Sequence, residues 1–218
     1  MTSQTLATHT APLSSRPLLW LAAASVIWIA GVTMFANAGG FEMGPGEPPI
    51  AIVITVAVPL VLFALAMLAS PAARALALGL DPVLLTELQA WRVLGGLFLG
   101  LYAFGHLPGL FAWPAGVGDV AVGIAAPFIA WRLRTQPSFL TSARFRLFQY
   151  AGLADFVVAI VAGLAAREVI PGLVGAVTTA PMGQLPLVLI PAIVVPAFII
   201  LHLIALMQIS AGRDRAAR

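Results

Sequence analysis

The chain has 218 residues, of which 61% are hydrophobic and 9% are charged. A soluble domain is about 45–50% apolar and about 25% charged, so this chain has too little polar surface to cover a water-soluble globule. The composition therefore excludes a soluble enzyme, a disordered tail and a nucleic-acid-binding domain. It predicts an all-α, polytopic membrane protein whose surroundings are the lipid bilayer.

Two missing residue types narrow the chemistry further. The sequence contains no cysteine, which excludes disulfides, thiolate metal sites, iron–sulfur clusters and covalently attached haem. It also contains no lysine, so a Schiff base is excluded. We find no zinc-protease, nucleotide-binding or hydrolase motif and lean away from an enzyme, although a membrane enzyme that holds Mg²⁺ between aspartates stays open.

Six stretches are long and apolar enough to cross a bilayer, which takes roughly 20 residues of helix. In chain order we predict the spans 18–38, 50–69, 90–108, 110–131, 147–166 and 185–209. Glycine, proline and polar residues separate them. The less apolar segment 76–88 is expected to form a short interfacial helix before the third span. Together the spans make one domain over 17–209, between a polar tail (1–16) and a basic tail (210–218).

The arginines predict the orientation of these spans. With the N-terminus inside, the inner segments hold ten of the eleven arginines and the outer segments hold Arg167 alone. Positive residues accumulate on the cytoplasmic side, so both termini are expected there, in a bacterial-type inner membrane. A competing interpretation takes the first stretch, which ends in Ala36-Asn37-Ala38, as a cleaved signal peptide. The stretch is longer than usual for that role, and we favour an uncleaved helix.

Three ionisable residues lie at mid-depth and are the candidate proton or substrate pathway. Counted from the nearest inner arginine of each span, Asp119 lies roughly 20 Å deep, Asp155 roughly 13 Å and His202 roughly 16 Å. Ionisable groups are costly in hydrocarbon and therefore face the bundle interior, where they often serve function. The fourth and fifth spans are expected to be antiparallel neighbours, which would let the two aspartates approach each other.

Four further residues are expected to support this pathway. Arg92 lies on the cytoplasmic side within reach of Asp155 and is a candidate salt-bridge partner. His106 lies near the outer end of the third span. Pro191 and Pro196 interrupt the last span, where proline removes backbone donors and bends the helix into a hinge, a groove or a static kink.

The two aspartates share a local pattern that allows two interpretations. Residues 116–126 and 152–162 are identical at five of eleven aligned positions, including a glycine three residues before each aspartate. Since the two helices run in opposite directions, the match is consistent with an inverted repeat of the kind found in transporters. The alternative is coincidence between two helices rich in small residues.

These observations leave three functions open. The first is a small proton-linked or small-solute transporter, expected as a homodimer, with a polar cavity that joins Asp119, Asp155 and His202 and opens to one side. The second is a membrane redox subunit that binds quinone or b-type haem, with His106 and His202 as haem ligands. The third is a structural or assembly subunit whose acids serve helix packing alone.

Overall fold

The computed structural model describes residues 15–42, 44, 47–169 and 172–216, so most of the predicted N-terminal tail and the last two residues lie outside the described residues. Every regular element in these ranges is helical. The α-helices are α1 (Ser15–Asn37), α2 (Ile50–Ala69), α3 (Pro71–Gly79), α4 (Pro82–Leu88), α5 (Gly96–Ala103), α6 (Gly109–Thr135), α7 (Ala143–Leu164) and α8 (Val195–Ala216). Tighter 3₁₀ turns cover Gln89–Gly95, Pro137–Thr141 and Ala180–Gly183, and wider π turns cover Ala165–Val169 and Ile190–Val194.

Five helical stretches of the described residues are long and apolar enough to cross a membrane. They are Leu19–Asn37, Ile50–Ala69, Gly109–Thr135, Ala143–Arg167 and Ile190–Arg213. Their outward faces are apolar: α2 buries none of its residues within the protein, and on α1 the side chains of Trp20 and Ile27 are 77% and 72% exposed. Such surfaces suit hydrocarbon, and the arrangement is consistent with a multi-pass membrane protein of all-α class.

The region of the third predicted span differs from expectation. None of the five stretches covers the predicted span 90–108. The expected short helix 76–88 is divided between α3 and α4, and α4 runs directly into the 3₁₀ turn Gln89–Gly95 and then into α5. The interruption between α3 and α4 lies at Leu80-Asp81. There the Asp81 side chain accepts a hydrogen bond from the backbone N–H of Val83 at 2.9 Å. Asp81 therefore caps α4 in the usual manner of an N-terminal aspartate, with Pro82 in the first turn.

Helix α6 lies at the centre of the bundle. It packs against α4, the 3₁₀ turn 89–95, α5 and α7, while α8 packs against α7, α2 and α4. Two apolar clusters fill the contacts of α6, one around Phe145, Phe148 and Ile209 and the other around Phe98, Phe111 and Met182. Along α6 the residues between the two clusters include Asp119, so polar groups at that level are enclosed by apolar packing towards both ends of the helix.

Candidate functional site

Arg92 lies at the centre of a buried polar cluster. Its Nε donates to Asp119 Oδ1 at 2.8 Å, and its Nη2 donates to Asp155 Oδ2. Its Nη1 donates to the carbonyl oxygen of Gly152 at 3.3 Å and lies 3.2 Å from His202 Nε2. Only 1% of the Arg92 side chain is exposed. One guanidinium thus joins helices α6, α7 and α8, and its fork geometry lets it bind two carboxylates at once.

His202 completes the cluster from α8. Its ring is fully buried, and its Nδ1 lies 2.6 Å from Gln149 Oε1. Because a guanidinium has no acceptor, His202 Nε2 accepts from Arg92, and Nδ1 therefore carries the hydrogen donated to Gln149. His202 is neutral in this arrangement. We refer to Arg92, Asp119, Asp155, Gln149 and His202 as the Arg92 cluster.

Aromatic rings enclose the charged centre. The Arg92 guanidinium carbon lies 3.8 Å from the centre of the Phe156 ring, a cation–π contact. Phe148 and Phe156 also lie edge-on to His202, with ring centres 5.9 and 6.3 Å away. These rings exclude water and strengthen the electrostatic interactions inside the cluster.

The 3₁₀ turn brings Arg92 to the bundle interior. At three residues per turn, side chains at positions i and i+3 stack directly above one another. Gln89, Arg92 and Gly95 have this spacing, and all three are buried. Trp91, Val93 and Leu94, which lie between them, are exposed, Trp91 to 65%. The 3₁₀ geometry therefore aligns Gln89, Arg92 and Gly95 on the face of the turn that packs inside the bundle, and it leaves the apolar side chains on the outward faces.

Glycines provide the space that the cluster occupies. A Cβ atom added to Gly118 would overlap the Asp155 carboxylate, and one added to Gly152 would overlap the His202 ring. A Cβ atom at Gly95 would overlap the Asp119 side chain. The glycine three residues before each aspartate thus has a packing role: Gly152 borders His202, and an added Cβ on Gly116 would lie 3.2 Å from the carbonyl oxygen of Gly95.

An apolar cavity of about 280 Å³ adjoins the cluster. Asp119 and Phe156 line it near the cluster, and Arg167 and Thr179 line it beyond the C-terminal end of α7. Its walls come from α2, α5, α6, α7 and the π turn Ile190–Val194 and are almost entirely apolar. This cavity differs from the expected polar cavity that joins three ionisable groups, since it is apolar and Asp155 and His202 do not line it.

The far end of the cavity lies where α7 ends and α2 begins. Arg167 is buried there and its Nε donates to the carbonyl oxygen of Glu47 at 3.3 Å. Thr179 donates through its hydroxyl to the carbonyl oxygen of Gly163 at 2.8 Å. Arg167 lies in the π turn that follows α7, twelve residues after Asp155 and roughly 18 Å farther along the helix. The cavity thus extends from an end of the bundle to the level of the cluster.

The sequence-predicted residues separate into two groups. Arg92, Asp119, Asp155 and His202 come together, and the suspected Arg92–Asp155 ion pair is present. His106 lies apart, exposed in the turn after α5. Pro191 lines the cavity from a π turn, and Pro196 is buried in α8, but neither belongs to the cluster. Sequence reasoning missed Gln149 and Phe156, whose only signal is a spacing of i−6 and i+1 from Asp155.

The haem hypothesis receives no support from the histidines. Both ring nitrogens of His202 form hydrogen bonds within the cluster, which leaves neither for an axial bond to iron, and His106 is exposed and outside the cluster. Both aspartates are paired with Arg92, which also disfavours the Mg²⁺ hypothesis. Within the described residues, no group of three or more histidines or acids has the geometry to hold a metal ion.

Comparison with known proteins gives one match. No curated protein and no solved structure matches the chain. A family description, "Domain of unknown function (DUF8737)", matches residues 49–210, about three quarters of the chain. The matched region begins just before α2 and contains every residue of the Arg92 cluster and of the apolar cavity wall. The chain belongs to this family, Domain of unknown function (DUF8737).

Proposed function

We propose that the protein spans the membrane six times, with both termini in the cytoplasm, and carries a small solute in a proton-linked manner. The span added to the five long stretches would be residues 82–103, which is third in chain order. These residues are helical throughout, although their three pieces are individually short. Fifteen α-helical and seven 3₁₀ residues together measure about 36 Å, which exceeds the roughly 30 Å of a hydrocarbon core. The inner-membrane location and the homodimer inferred from sequence accompany this topology as predictions.

The absence of native cysteine allows a direct test of the topology. Gly79→Cys and His106→Cys each place one thiol at an exposed position on either side of residues 82–103. We expect a membrane-impermeant maleimide added to intact cells to label the His106 variant and to label the Gly79 variant only after permeabilisation. Ser138→Cys, exposed after α6, should behave like the Gly79 variant. Labelling of residues 79 and 106 from the same side would contradict a sixth span.

The transport proposal rests on one observation: the Arg92 cluster lies at the end of the apolar cavity that is buried in the bundle. With both aspartates ionised, one arginine faces two carboxylates, and a single added proton makes the cluster neutral. Asp119 is the carboxylate that also borders the cavity, and 16% of its side chain is exposed. Proton binding at Asp119 would remove one ion pair with Arg92, so occupancy of the cavity and protonation of the cluster would be coupled.

Irregular helix geometry supports movement at this site. The 3₁₀ turn 89–95 carries Arg92, and the π turns 165–169 and 190–194 carry the cavity residues Arg167 and Pro191. Mid-helix 3₁₀ and π turns occur often at hinges and functional sites, and transporters build midplane sites from interrupted helices. Two such turns in the cavity wall and a third that carries Arg92 favour a carrier over a static scaffold.

Alternating exposure of the cavity is the property that tests a carrier. Ala159 lines the cavity from α7, and Ala159→Cys adds a single small thiol there. We expect a charged, membrane-impermeant methanethiosulfonate to modify this thiol in proteoliposomes, with rates from the two sides that change in opposite directions when pH is lowered. In the Asp119→Asn background the rates should lose this pH dependence. Gly79→Cys, outside the cavity, is the matched control.

A structural role predicts a different outcome for the same variants. All three charged groups of the cluster are paired, as they would be in a device for helix packing. If cysteine at position 159 reacts from one side only, or from neither side, at every pH, while Asp119→Asn lowers thermal stability, the structural alternative replaces the carrier.

A further inference from the structure

We infer that the apolar cavity binds a small organic cation, a substituted ammonium with an apolar body, which sits beside Asp119 in place of one proton. This inference rests on the proposed function, because it names the class of solute that the same site would carry. It depends on three observations: the charge at the inner end of the cavity, the apolar and aromatic walls, and the volume.

The charge at the inner end favours a cation. Asp119 borders the cavity, and behind it lie Arg92, Asp155 and the neutral His202. With both carboxylates ionised, the sum is one negative charge in surroundings that screen it weakly. The other charged side chain on the wall, Arg167, lies at the far end of the cavity, beyond the end of α7.

The walls exclude a hydrated inorganic cation. Apart from Asp119, Arg167 and Thr179, the lining consists of hydrocarbon side chains, proline, glycine and the thioether of Met182, which cannot replace a hydration shell. Three phenylalanine rings contribute to the lining, from Phe98, Phe111 and Phe156, and the first two have ring centres 5.2 Å apart. Aromatic rings attract substituted ammonium groups through cation–π contacts, and the same rings accommodate an apolar body.

The volume sets the size of the solute. An engineered apolar cavity of about 150 Å³ binds benzene, and the cavity described above has about 280 Å³. One aromatic ring with a small ammonium group therefore fits. Exchange of such a cation for a proton conserves charge. Each brings one positive charge, which balances the one negative charge of the ionised cluster. The exchange involves no covalent step: the cation enters and Asp119 releases its proton to water.

The test uses benzyltrimethylammonium and its uncharged carbon isostere, neopentylbenzene, with the purified full chain in detergent. The two probes have the same shape, and the cation carries no proton of its own. We expect calorimetry to show at least tenfold tighter binding of the cation. At a pH low enough for the cluster to hold its extra proton, close to one proton should be released per cation bound in weakly buffered solution. Because the proton and the cation compete, affinity for the cation should rise with pH.

Two variants keep the test specific. Asp119→Asn should weaken binding of the cation at least tenfold and abolish proton release, while Glu42→Gln, an exposed acid outside the cavity, should leave both unchanged. The wild-type pH dependence and the isostere comparison remain decisive even if Asp119→Asn does not fold. Equal binding of the two probes, or cation binding without proton release at that low pH, would overturn the inference.

The outcome also separates this inference from the carrier proposal. If cysteine at position 159 shows pH-switched exposure but benzyltrimethylammonium does not bind, the carrier stands and the solute class is wrong. If the cation binds with proton release but exposure never alternates, the binding site stands and the carrier proposal is wrong.

Discussion

Replacing Arg92 by leucine is expected to destabilise the protein by about 3–5 kcal/mol, the usual consequence of removing one partner from a buried ion pair. The substitution leaves the carboxylates of Asp119 and Asp155 without a counter-charge and removes a donor from His202 and from the Gly152 carbonyl oxygen. The measurement is the unfolding free energy, or the shift in thermal unfolding, of the purified variant in detergent.

Arg134→Leu is the matched control for this prediction. Arg134 also pairs with a carboxylate, its Nη2 lying 2.6 Å from Glu87 Oε1, but their side chains are 59% and 38% exposed. An exposed pair contributes about 0–1 kcal/mol, so this variant should unfold almost as the wild type does. Equal destabilisation by the two substitutions would show that Arg92 does not hold a buried charge network.

Gly118→Ala is expected to have the second largest effect, a loss of at least about 1–3 kcal/mol, the usual cost of overpacking a filled site. The added methyl group would occupy the position of the Asp155 carboxylate and force it away from Arg92. The change concerns one methyl group in a helix interior, where alanine is otherwise preferred, so propensity alone predicts the opposite sign. Thermal unfolding of the purified variant measures the result.

Gly100→Ala provides the comparison within the same bundle. Gly100 lies in α5, and an added Cβ there would meet no atom within 4 Å. Since glycine in a helix interior costs roughly 0.5–1 kcal/mol relative to alanine, we expect this variant to be slightly more stable than the wild type. If Gly118→Ala is also neutral or stabilising, Asp155 does not occupy the position beside Gly118.

Hydropathy was sufficient to locate the long apolar helices but not the role of residues 82–103. Counting residues along each span was enough to predict that Asp119, Asp155 and His202 lie at similar levels, because helical rise is constant. Whether these residues converge depends on how each helix is rotated about its own axis. A uniformly apolar helix has no polar–apolar periodicity that would indicate this rotation. Arg92 illustrates this limit: its burial depends on the 3₁₀ phase of 89–95, and α-helical spacing would have turned the column of Gln89, Arg92 and Gly95 apart.

The cavity was not predictable from sequence for a related reason. Its walls consist largely of apolar residues such as valine, isoleucine, leucine and phenylalanine, which are also exposed on the outer surface of the bundle. Nothing in composition distinguishes an apolar side chain beside a void from one beside an acyl chain. The polar cavity was expected because of the ionisable residues alone. In the structure these residues pair with one another around Arg92.

The most direct test of the Arg92 cluster is the cost of Arg92→Leu measured in two backgrounds, the wild type and the double variant Asp119→Asn with Asp155→Asn. Residues that share one network show large coupling energies in such a cycle. We expect the unfolding free energy lost on Arg92→Leu to fall to less than half its wild-type value once both carboxylates are neutral. The same loss in both backgrounds would contradict the central claim that Arg92 holds the two aspartates together.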